Sequence, residues 1–214
     1  MKKLGNRIWP LIFFSLAANV GNIIFFPVMF YSSFQTVFDL TNAQMGNLTA
    51  AYASLAVPGY LISGWVADKF NSKKLMLIAV FSTDAVVFIM ATIPSYPVLL
   101  VLFFCMSITL GLLFWSAMEK LIRMFGEAGE QGTIRGVYQG VDGIMSLGLM
   151  VGLAALLGER LSTPSGMRIL LLVFGVIYLL SGIGFLVTFK YDDFASEYLV
   201  DTGEPVKRLL IWGA

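Results

Sequence analysis

The chain has 214 residues and a formal net charge of +1, and 58% of its residues are hydrophobic while only 13% are charged. Its mean hydropathy of +0.83 lies above the range of soluble domains, so we predict an integral membrane protein. The absence of histidine excludes histidine-based metal sites and Ser/His catalysis, and the single cysteine, Cys105, excludes an internal disulfide. No basic surface suited to nucleic acid stands out. The composition therefore predicts a protein that is not an enzyme, holds no metal or other cofactor and binds no nucleic acid.

Six long apolar segments, separated by short polar turns, follow one another along the chain. A helix needs about 20 apolar residues to cross a bilayer, and continuous apolar runs without a period of two indicate helices. The sequence therefore predicts an all-α bundle of six transmembrane helices over residues 1–189, followed by a polar tail over 190–214. The predicted segments are 8–31, 44–67, 74–93, 98–119, 134–157 and 167–189.

The first segment begins like a secretory signal peptide, because Lys2, Lys3 and Arg7 precede an apolar core. The apolar run continues through "NIIFFPVMFY", so we predict a retained first helix rather than a cleaved signal. This helix also carries Asn19 and Asn22, which are three residues apart and share a face. An amide pair suits a sugar-like ligand and suits ordinary hydrogen bonding between helices equally well.

The stretch "GWVADKFNSKK", residues 64–74, forms the connection between the second and third segments. A simple positive anchor on the cytoplasmic side explains its lysines but not Gly64 or Asp68. We expect Gly64 to let two helix ends approach closely, and Asp68 to pair with a cation or with the positive end of a helix dipole. The residues of this motif are Gly64, Asp68, Lys69, Asn71, Lys73 and Lys74.

Two aspartates lie inside predicted helices. Asp84 is ten residues into the third segment, about 15 Å along a helix and thus near the middle of the membrane. Asp142 lies about two turns into the fifth segment. A carboxyl group inside a membrane is costly and usually faces a cavity or a partner. We expect a hydrogen-bonding role between helices for Asp84, and a cavity-side or proton-coupling role for Asp142.

Glycines and charges mark the fifth segment and the connection before it. The glycines are spaced four apart, which indicates either a sliding face or a static packing seam: Gly132, Gly136, Gly140, Gly148 and Gly152. In the connection, Glu119 and Arg123 have the spacing of a favourable helical pair. We expect a network of cytoplasmic gate charges that rearranges on opening, the alternative being a solvated loop. The gate charges are Glu119, Arg123, Glu130 and Arg135, whereas for Glu127 we favour the solvated loop.

The distribution of basic residues predicts the orientation. With six helices, every lysine and arginine except Arg160 and Arg168 falls on the side of the two termini. The positive-inside rule then places both termini in the cytoplasm, in a multi-pass protein of the inner membrane. Near the end of the tail, Lys207 and Arg208 precede "LLIWGA". This pattern predicts a loop between two domains, truncated at the start of a seventh helix; the alternative is an amphipathic tail on the membrane surface.

The motif at residues 64–74 resembles the loop 2–3 signature of the major facilitator superfamily, with Asn71 where a glycine is common. Residues 114–140 are similar, less specifically, to the sugar-phosphate and organic-anion permease-like branch. The resemblance implies the amino-terminal half of a twelve-helix transporter, built as a 3+3 inverted repeat. It also implies that the motif acts as a latch favouring the outward-open state, and that helix 3, with Asp84, is peripheral. Cavity residues would come from helices 1, 4 and 5: Asn19, Asn22, Trp115, Tyr138, Gln139 and Asp142.

The function that this resemblance implies is secondary active transport by alternating access. The solute would be small and polar, such as a sugar, a sugar acid or an organic anion, and both proton coupling and exchange for a counter-anion are compatible with the sequence. A six-helix bundle alone does not enclose a central site, so we expect it to require the missing second half or a second copy of the chain. The alternative function is a non-transporting six-helix membrane protein that acts as an assembly or regulatory partner.

Overall fold

A computed structural model describes residues 2–126 and 128–191, and the regular structure within them is helical. Glu127 and most of the predicted tail, 192–214, lie outside the described residues. Six long helices, which we label α1 to α6, follow the order of the six predicted segments.

Three of the long helices are interrupted by turns of different pitch. The first, α1, comprises Lys2–Ala18, a 3₁₀ stretch at Asn19–Phe25 and a last turn at Phe26–Met29. A short helix at Tyr31–Val37 leads to α2 (Asn42–Lys69), which is followed by α3 (Ser72–Met90). In α4, a π-helical stretch at Ser107–Phe114 joins Tyr96–Met106 to Trp115–Met124. In α5, a π-helical stretch at Ser146–Leu153 joins Gln131–Met145 to Ala154–Leu157. A 3₁₀ turn at Gly158–Ser162 then leads to α6 (Pro164–Thr188).

Side-chain caps determine where three of these helices begin. At α2, Thr41 and Gln44 form a capping box, in which each side chain accepts a hydrogen bond from the other residue's backbone N–H. Asn71 Oδ1 accepts from the backbone N–H groups of the second and third residues of α3, at 3.0 and 3.2 Å. Thr163 caps α6 in the same way. Each cap satisfies backbone donors that the first helical turn leaves without partners.

Five of the helices are long and apolar enough to cross a membrane: α1, α2, α4, α5 and α6. The exception is α3, which carries Lys73, Lys74 and Asp84 within its 19 residues. Although it is more charged, α3 buries a large part of its surface between α6 and α4. A sixth span along α3 therefore stays a prediction.

The bundle is held by two kinds of contact. Phenylalanine rings fill the centre between α1, α4 and α6, where the ring of Phe14 lies 5.3 Å from that of Phe125 and 5.4 Å from that of Phe185. At the crossing of α2 and α4 the backbones themselves meet, because a Cβ added to Gly111 would lie 2.6 Å from Ala56 Cα. A glycine at 111 is what allows this close approach.

The glycines of α5 behave differently. A Cβ added to Gly132, Gly136, Gly140, Gly148 or Gly152 would meet no heavy atom within 4 Å in the part of the chain that is described. The interpretation of this ladder as a packing seam inside the bundle is therefore wrong, and the glycine face lies open.

Basic side chains at the starts of α3 and α6 cap each other's ends. Lys73 Nζ donates hydrogen bonds to the carbonyl oxygens of Leu186 (2.9 Å) and Phe189 at the end of α6. Arg168 Nε donates to the carbonyl oxygen of Ala91 (3.1 Å), at the end of α3. Cations are favourable at helix C-termini, where carbonyl groups lack partners. This pair of reciprocal caps joins the two antiparallel helices at both ends.

Candidate solute-binding site

A group of polar side chains lies inside the bundle where α1, α5 and α6 meet. Asn19 is fully buried, and its Nδ2 donates to Asp142 Oδ1 at 2.9 Å and to Ser146 Oγ at 3.1 Å. Asn22 Nδ2 donates to the same two atoms at 3.3 and 3.4 Å. Tyr178 OH donates to Asn19 Oδ1 at 3.3 Å. We call these five residues the polar layer.

Local helix geometry explains why the two asparagines meet the same partners. They lie in the 3₁₀ stretch of α1, where three residues complete one turn, so Asn19 and Asn22 stand one above the other. Across from them, Asp142 and Ser146 are four residues apart in α5 and share its face. Two stacked amides therefore face a carboxylate and a hydroxyl, and each amide reaches both.

The polar layer is enclosed on one side and accessible on the other. Asn19 and Tyr178 are fully buried, whereas Asn22, Asp142 and Ser146 are only half-buried. The accessible edge belongs mainly to α5, which buries the least of the long helices. A solute that approaches from the open face of α5 would meet the carboxylate, an amide and a hydroxyl together.

The structure separates the other predicted cavity residues from the polar layer. Tyr138 is buried, and its OH donates to Met118 Sδ at 3.2 Å. Gln139 is exposed on α5. Trp115 lines a different cavity, between α2 and α4, with a volume of about 610 Å³. Of the six side chains that the sequence assigned to one cavity, the structure brings Asn19, Asn22 and Asp142 together and does not place the other three with them.

The α2–α4 cavity also holds part of the loop motif. Lys120 Nζ donates to the carbonyl oxygen of Ala67 at 2.9 Å and lies 3.4 Å from Asp68 Oδ1. The predicted pairing of Asp68 with a cation is thus present in the structure. Gly64 lines the same cavity, but a Cβ placed on it would meet no heavy atom within 4 Å. The close helix contact that the sequence suggested at Gly64 is not found among the described residues.

The remaining motif residues have structural contacts. Asn71 caps α3, and the backbone N–H of Lys74 is one of the two groups that it caps. Lys73 binds the end of α6, as described above. Lys69 Nζ lies 4.7 Å from the centre of the Trp65 ring, a cation–π contact at the end of α2. The motif therefore holds three helix ends in place, and a latch function for it stays a prediction.

The predicted gate charges are arranged differently from the expected pattern. The carboxylate of Glu119 contacts Arg135, with Arg135 Nη2 2.5 Å from Oε2 and Nη1 3.4 Å from Oε1, across α4 and α5. Arg123 Nε donates instead to the backbone carbonyl oxygen of Glu119, at 3.4 Å. The expected side-chain pair between Glu119 and Arg123 is therefore wrong. Glu130 occupies the N-cap position of α5 without a side-chain cap bond, and Glu127 lies outside the described residues.

Two members of the polar layer were not predicted from the sequence. Ser146 follows Asp142 by one helical turn, and this spacing was the available signal. Tyr178 lies within an apolar helix, where a tyrosine resembles an ordinary packing residue until its hydroxyl partner is known.

Comparison with known proteins identifies the family. The protein-family model described as "Major Facilitator Superfamily" matches residues 8–214 of the chain. The chain belongs to this superfamily. The resemblance inferred from the loop motif is thereby confirmed, as is the prediction of an all-α membrane bundle. The superfamily is one of transporters rather than enzymes, so the chain is a transporter-like protein of a lipid bilayer.

Curated relatives support an inner-membrane location. The chain is 28% identical over 144 residues to "Inner membrane protein YqcE" of Escherichia coli (strain K12). The aligned region covers 67% of this chain and 34% of that relative. It is 27% identical over 146 residues to "Inner membrane protein YihN" of the same organism, and this aligned region covers 66% of this chain and 34% of the relative. The matched region thus spans about a third of the length of each relative. No solved structure matches significantly. These matches and the apolar helices indicate an integral inner-membrane protein.

Proposed function

We propose that the chain forms one six-helix bundle of a secondary active transporter, and that the polar layer contributes to its solute site. The observation that carries this proposal is the half-buried carboxylate of Asp142, which lies among amide and hydroxyl groups inside an otherwise apolar bundle. Polar and ionisable groups in a membrane interior are costly, and they commonly mark solute or ion pathways.

The chemistry of the polar layer favours a neutral, polyhydroxylated solute within the predicted class of sugars, sugar acids and organic anions. The carboxylate of Asp142 accepts hydrogen bonds, while the amides and the hydroxyl of Ser146 both donate and accept them. The side chains that donate hydrogen bonds to the Asp142 carboxylate in the described part of the chain are two asparagines, Asn19 and Asn22, and neither is a cation. An anionic solute would meet the carboxylate without compensation, so a sugar fits this site better than an organic anion.

The open side of the layer supports a requirement for a second bundle. Alternating access encloses a site near the middle of the membrane between two units that rock against each other. Here the accessible edge of the layer and the glycine face of α5 both point out of the bundle. A second half, or a second copy of this chain, would close the site. In the proposed transporter both termini lie in the cytoplasm, as the distribution of basic residues predicts, and the loop motif at 64–74 would bias the outward-open state.

Uptake measurements test the proposal directly. Inner-membrane vesicles containing the protein would be offered labelled neutral sugars, sugar acids and organic anions, with protein levels measured by quantitative blotting. We expect uptake of a neutral sugar, reduced at least about tenfold by Asp142→Asn or by Asn22→Ala. Thr133→Ala serves as a control, because Thr133 lies on the same helix but is exposed and outside the layer.

Two results would contradict the proposal. If uptake occurred but neither substitution changed it, the polar layer would not be the solute site. If no member of the panel were taken up while the protein co-purified stably with another membrane protein, the alternative of a non-transporting assembly or regulatory partner would replace transport.

A further inference from the structure

Asp84 is a buried carboxyl group that the proposed solute site does not use. It lies in the middle of α3 and is only 2% exposed. Its Oδ1 atom is fully buried and has no hydrogen-bond partner among the described residues. Buried polar atoms are almost always paired, so an unpaired carboxyl oxygen at this depth requires an explanation.

The contacts between α3 and α6 fix what lies opposite Asp84. A Cβ added to Gly182 would lie 3.0 Å from the Phe81 ring, and one added to Gly175 would lie 3.0 Å from the Phe88 ring. Because the helices are antiparallel, interpolation between these two contacts places Asp84 opposite Leu179, one residue from Tyr178. Tyr178 is also within electrostatic range of Asp84 and of Asp142.

The other titratable groups on the helices packed against α3 lie elsewhere. Tyr52 and Tyr60 on α2 bond to each other at 2.8 Å, Tyr96 at the start of α4 accepts a hydrogen bond from Asn47 at 3.0 Å, and Cys105 on α4 is exposed. The charged groups lie near helix ends, where several are held by the contacts described above: Arg7, Asp68, Lys69, Glu119, Lys120, Arg123 and Arg168. On α3 itself, Lys73 binds the end of α6, and Lys74 lies in the first turn. Tyr178 is therefore the titratable neighbour closest in level to Asp84 among the described residues.

An ionised carboxylate in this position would be buried without a compensating cation. Such a charge is strongly unfavourable in a medium of low dielectric constant, whereas a bound proton removes the charge. We propose that Asp84 is a proton-binding site and that Tyr178 couples it to the solute site. The coupling to solute, but not the proton site itself, rests on the proposed transport function.

The coupling follows from the hydrogen-bonding capacity of a phenol. Tyr178 has one hydroxyl proton to donate, and it donates this proton to Asn19 Oδ1. When Asp84 releases its proton to water, its carboxylate becomes a stronger acceptor than the amide oxygen, because hydrogen bonds to ions are the stronger ones. Tyr178 then turns to Asp84 and leaves Asn19, whose amide also holds Asp142 and Ser146. Proton release at Asp84 thereby loosens the polar layer on the far side of α6.

Infrared spectroscopy tests the proton site without any transport. Spectra of the protein in lipid, recorded over a series of pH values, should show the carbonyl stretch of a protonated carboxylic acid inside the membrane, and this band should disappear as the pH rises. We expect Asp84→Asn to remove this band, Asp84→Glu to keep it at a shifted frequency, and Asp142→Asn to leave it in place. The absence of such a band in the unmodified protein, or its persistence in Asp84→Asn, would overturn the proton site. Monodisperse elution from a size-exclusion column in detergent establishes that each variant is folded. If Asp84→Asn does not fold, the frequency shift of the band in Asp84→Glu decides whether the band belongs to residue 84.

The pH dependence of solute uptake tests the coupling. Uptake by the unmodified protein should change at least about threefold across the titration of Asp84, and Tyr178→Phe should flatten this profile while the infrared band remains. An unchanged profile in Tyr178→Phe would overturn the coupling. If no solute were taken up at all but the band followed Asp84, the proposed transport function would fail while the proton site would stand.

Discussion

The close crossing of α2 and α4 allows a quantitative test of the packing. In a Gly111→Ala variant the new Cβ would lie 2.6 Å from Ala56 Cα and 3.0 Å from Ala56 Cβ. Since non-bonded carbon atoms normally lie about 3.5–4.0 Å apart, the two helices would have to separate by about 1 Å at this point. The nearest atom belongs to the backbone, so a rotation of a side chain does not relieve the contact.

The expected cost is that of overpacking, about 1–3 kcal/mol in the free energy of unfolding. Alanine is also a better helix former than glycine, by about 1 kcal/mol in water, which would conceal part of this cost. Gly140→Ala is a matched control, because its Cβ would meet no heavy atom within 4 Å. The difference between the two variants therefore isolates the strain at the crossing.

Reversible unfolding in mixed micelles with increasing SDS, followed by the fluorescence of the four tryptophans, would measure this difference. Adding Ala56→Gly to Gly111→Ala should restore only part of the stability, because the contact with the Cα atom remains. Equal stabilities of the Gly111→Ala and Gly140→Ala variants would refute the close approach of α2 and α4.

Three further predictions use the same unfolding assay. Ile93 has a φ of 55°, which costs a β-branched residue about 1–2 kcal/mol, although its side chain also packs against the core. Ile93→Gly should therefore be more stable than Ile93→Ala by about 1 kcal/mol, because both remove the side chain and only glycine relieves the backbone, and equal stabilities would contradict this. The side chains of Arg135 and Glu119 are 49% and 38% exposed, so a double-mutant cycle should give a coupling free energy of about 0.2–1 kcal/mol. A larger coupling would contradict the interpretation of this ion pair as a solvent-screened surface contact. Lys120→Gln should lower the free energy of unfolding by about 1–2 kcal/mol, because the Lys120 ammonium group donates to a carbonyl oxygen in the last turn of α2. Asp68→Asn should lower it by less, since the Asp68 side chain is 82% exposed. An equal loss in the two variants would show that the ion pair provides the stabilisation.

The six long helices lie where the sequence has its apolar segments, and five of them have the length and apolar character that lipid imposes on a spanning helix. The caps refined the starts: Thr41, Asn71 and Thr163 each precede the predicted beginning of an apolar segment by a few residues. Local signals of this kind act within one turn, so a single sequence contains them in full.

The polar layer was only partly predictable, since it depends on how helices distant in sequence are rotated towards one another. Asn19, Asn22 and Asp142 stood out because they are polar groups in apolar runs. Whether they meet depends on the 3₁₀ stretch in α1, which the sequence did not indicate, and on the rotation of α5. Gln139 lies only three residues before Asp142 and is nevertheless exposed.

The glycine pattern left two interpretations open for the same reason. Spacing alone does not show whether a smooth helix face contacts a neighbour in the same bundle. The ladder in α5 faces outward, and the closest helix crossing uses Gly111, which belongs to no such ladder.

The reciprocal caps between α3 and α6 have a mechanical consequence. Sliding one helix along the other by a single turn, about 5.4 Å, would pull Lys73 and Arg168 away from their carbonyl partners at both ends at once. A tilt of both helices together leaves the two contacts intact. The pair therefore resists shear but not rigid rotation, and Asp84 and Tyr178, which lie between the two caps, keep their register through any motion of the bundle as a whole.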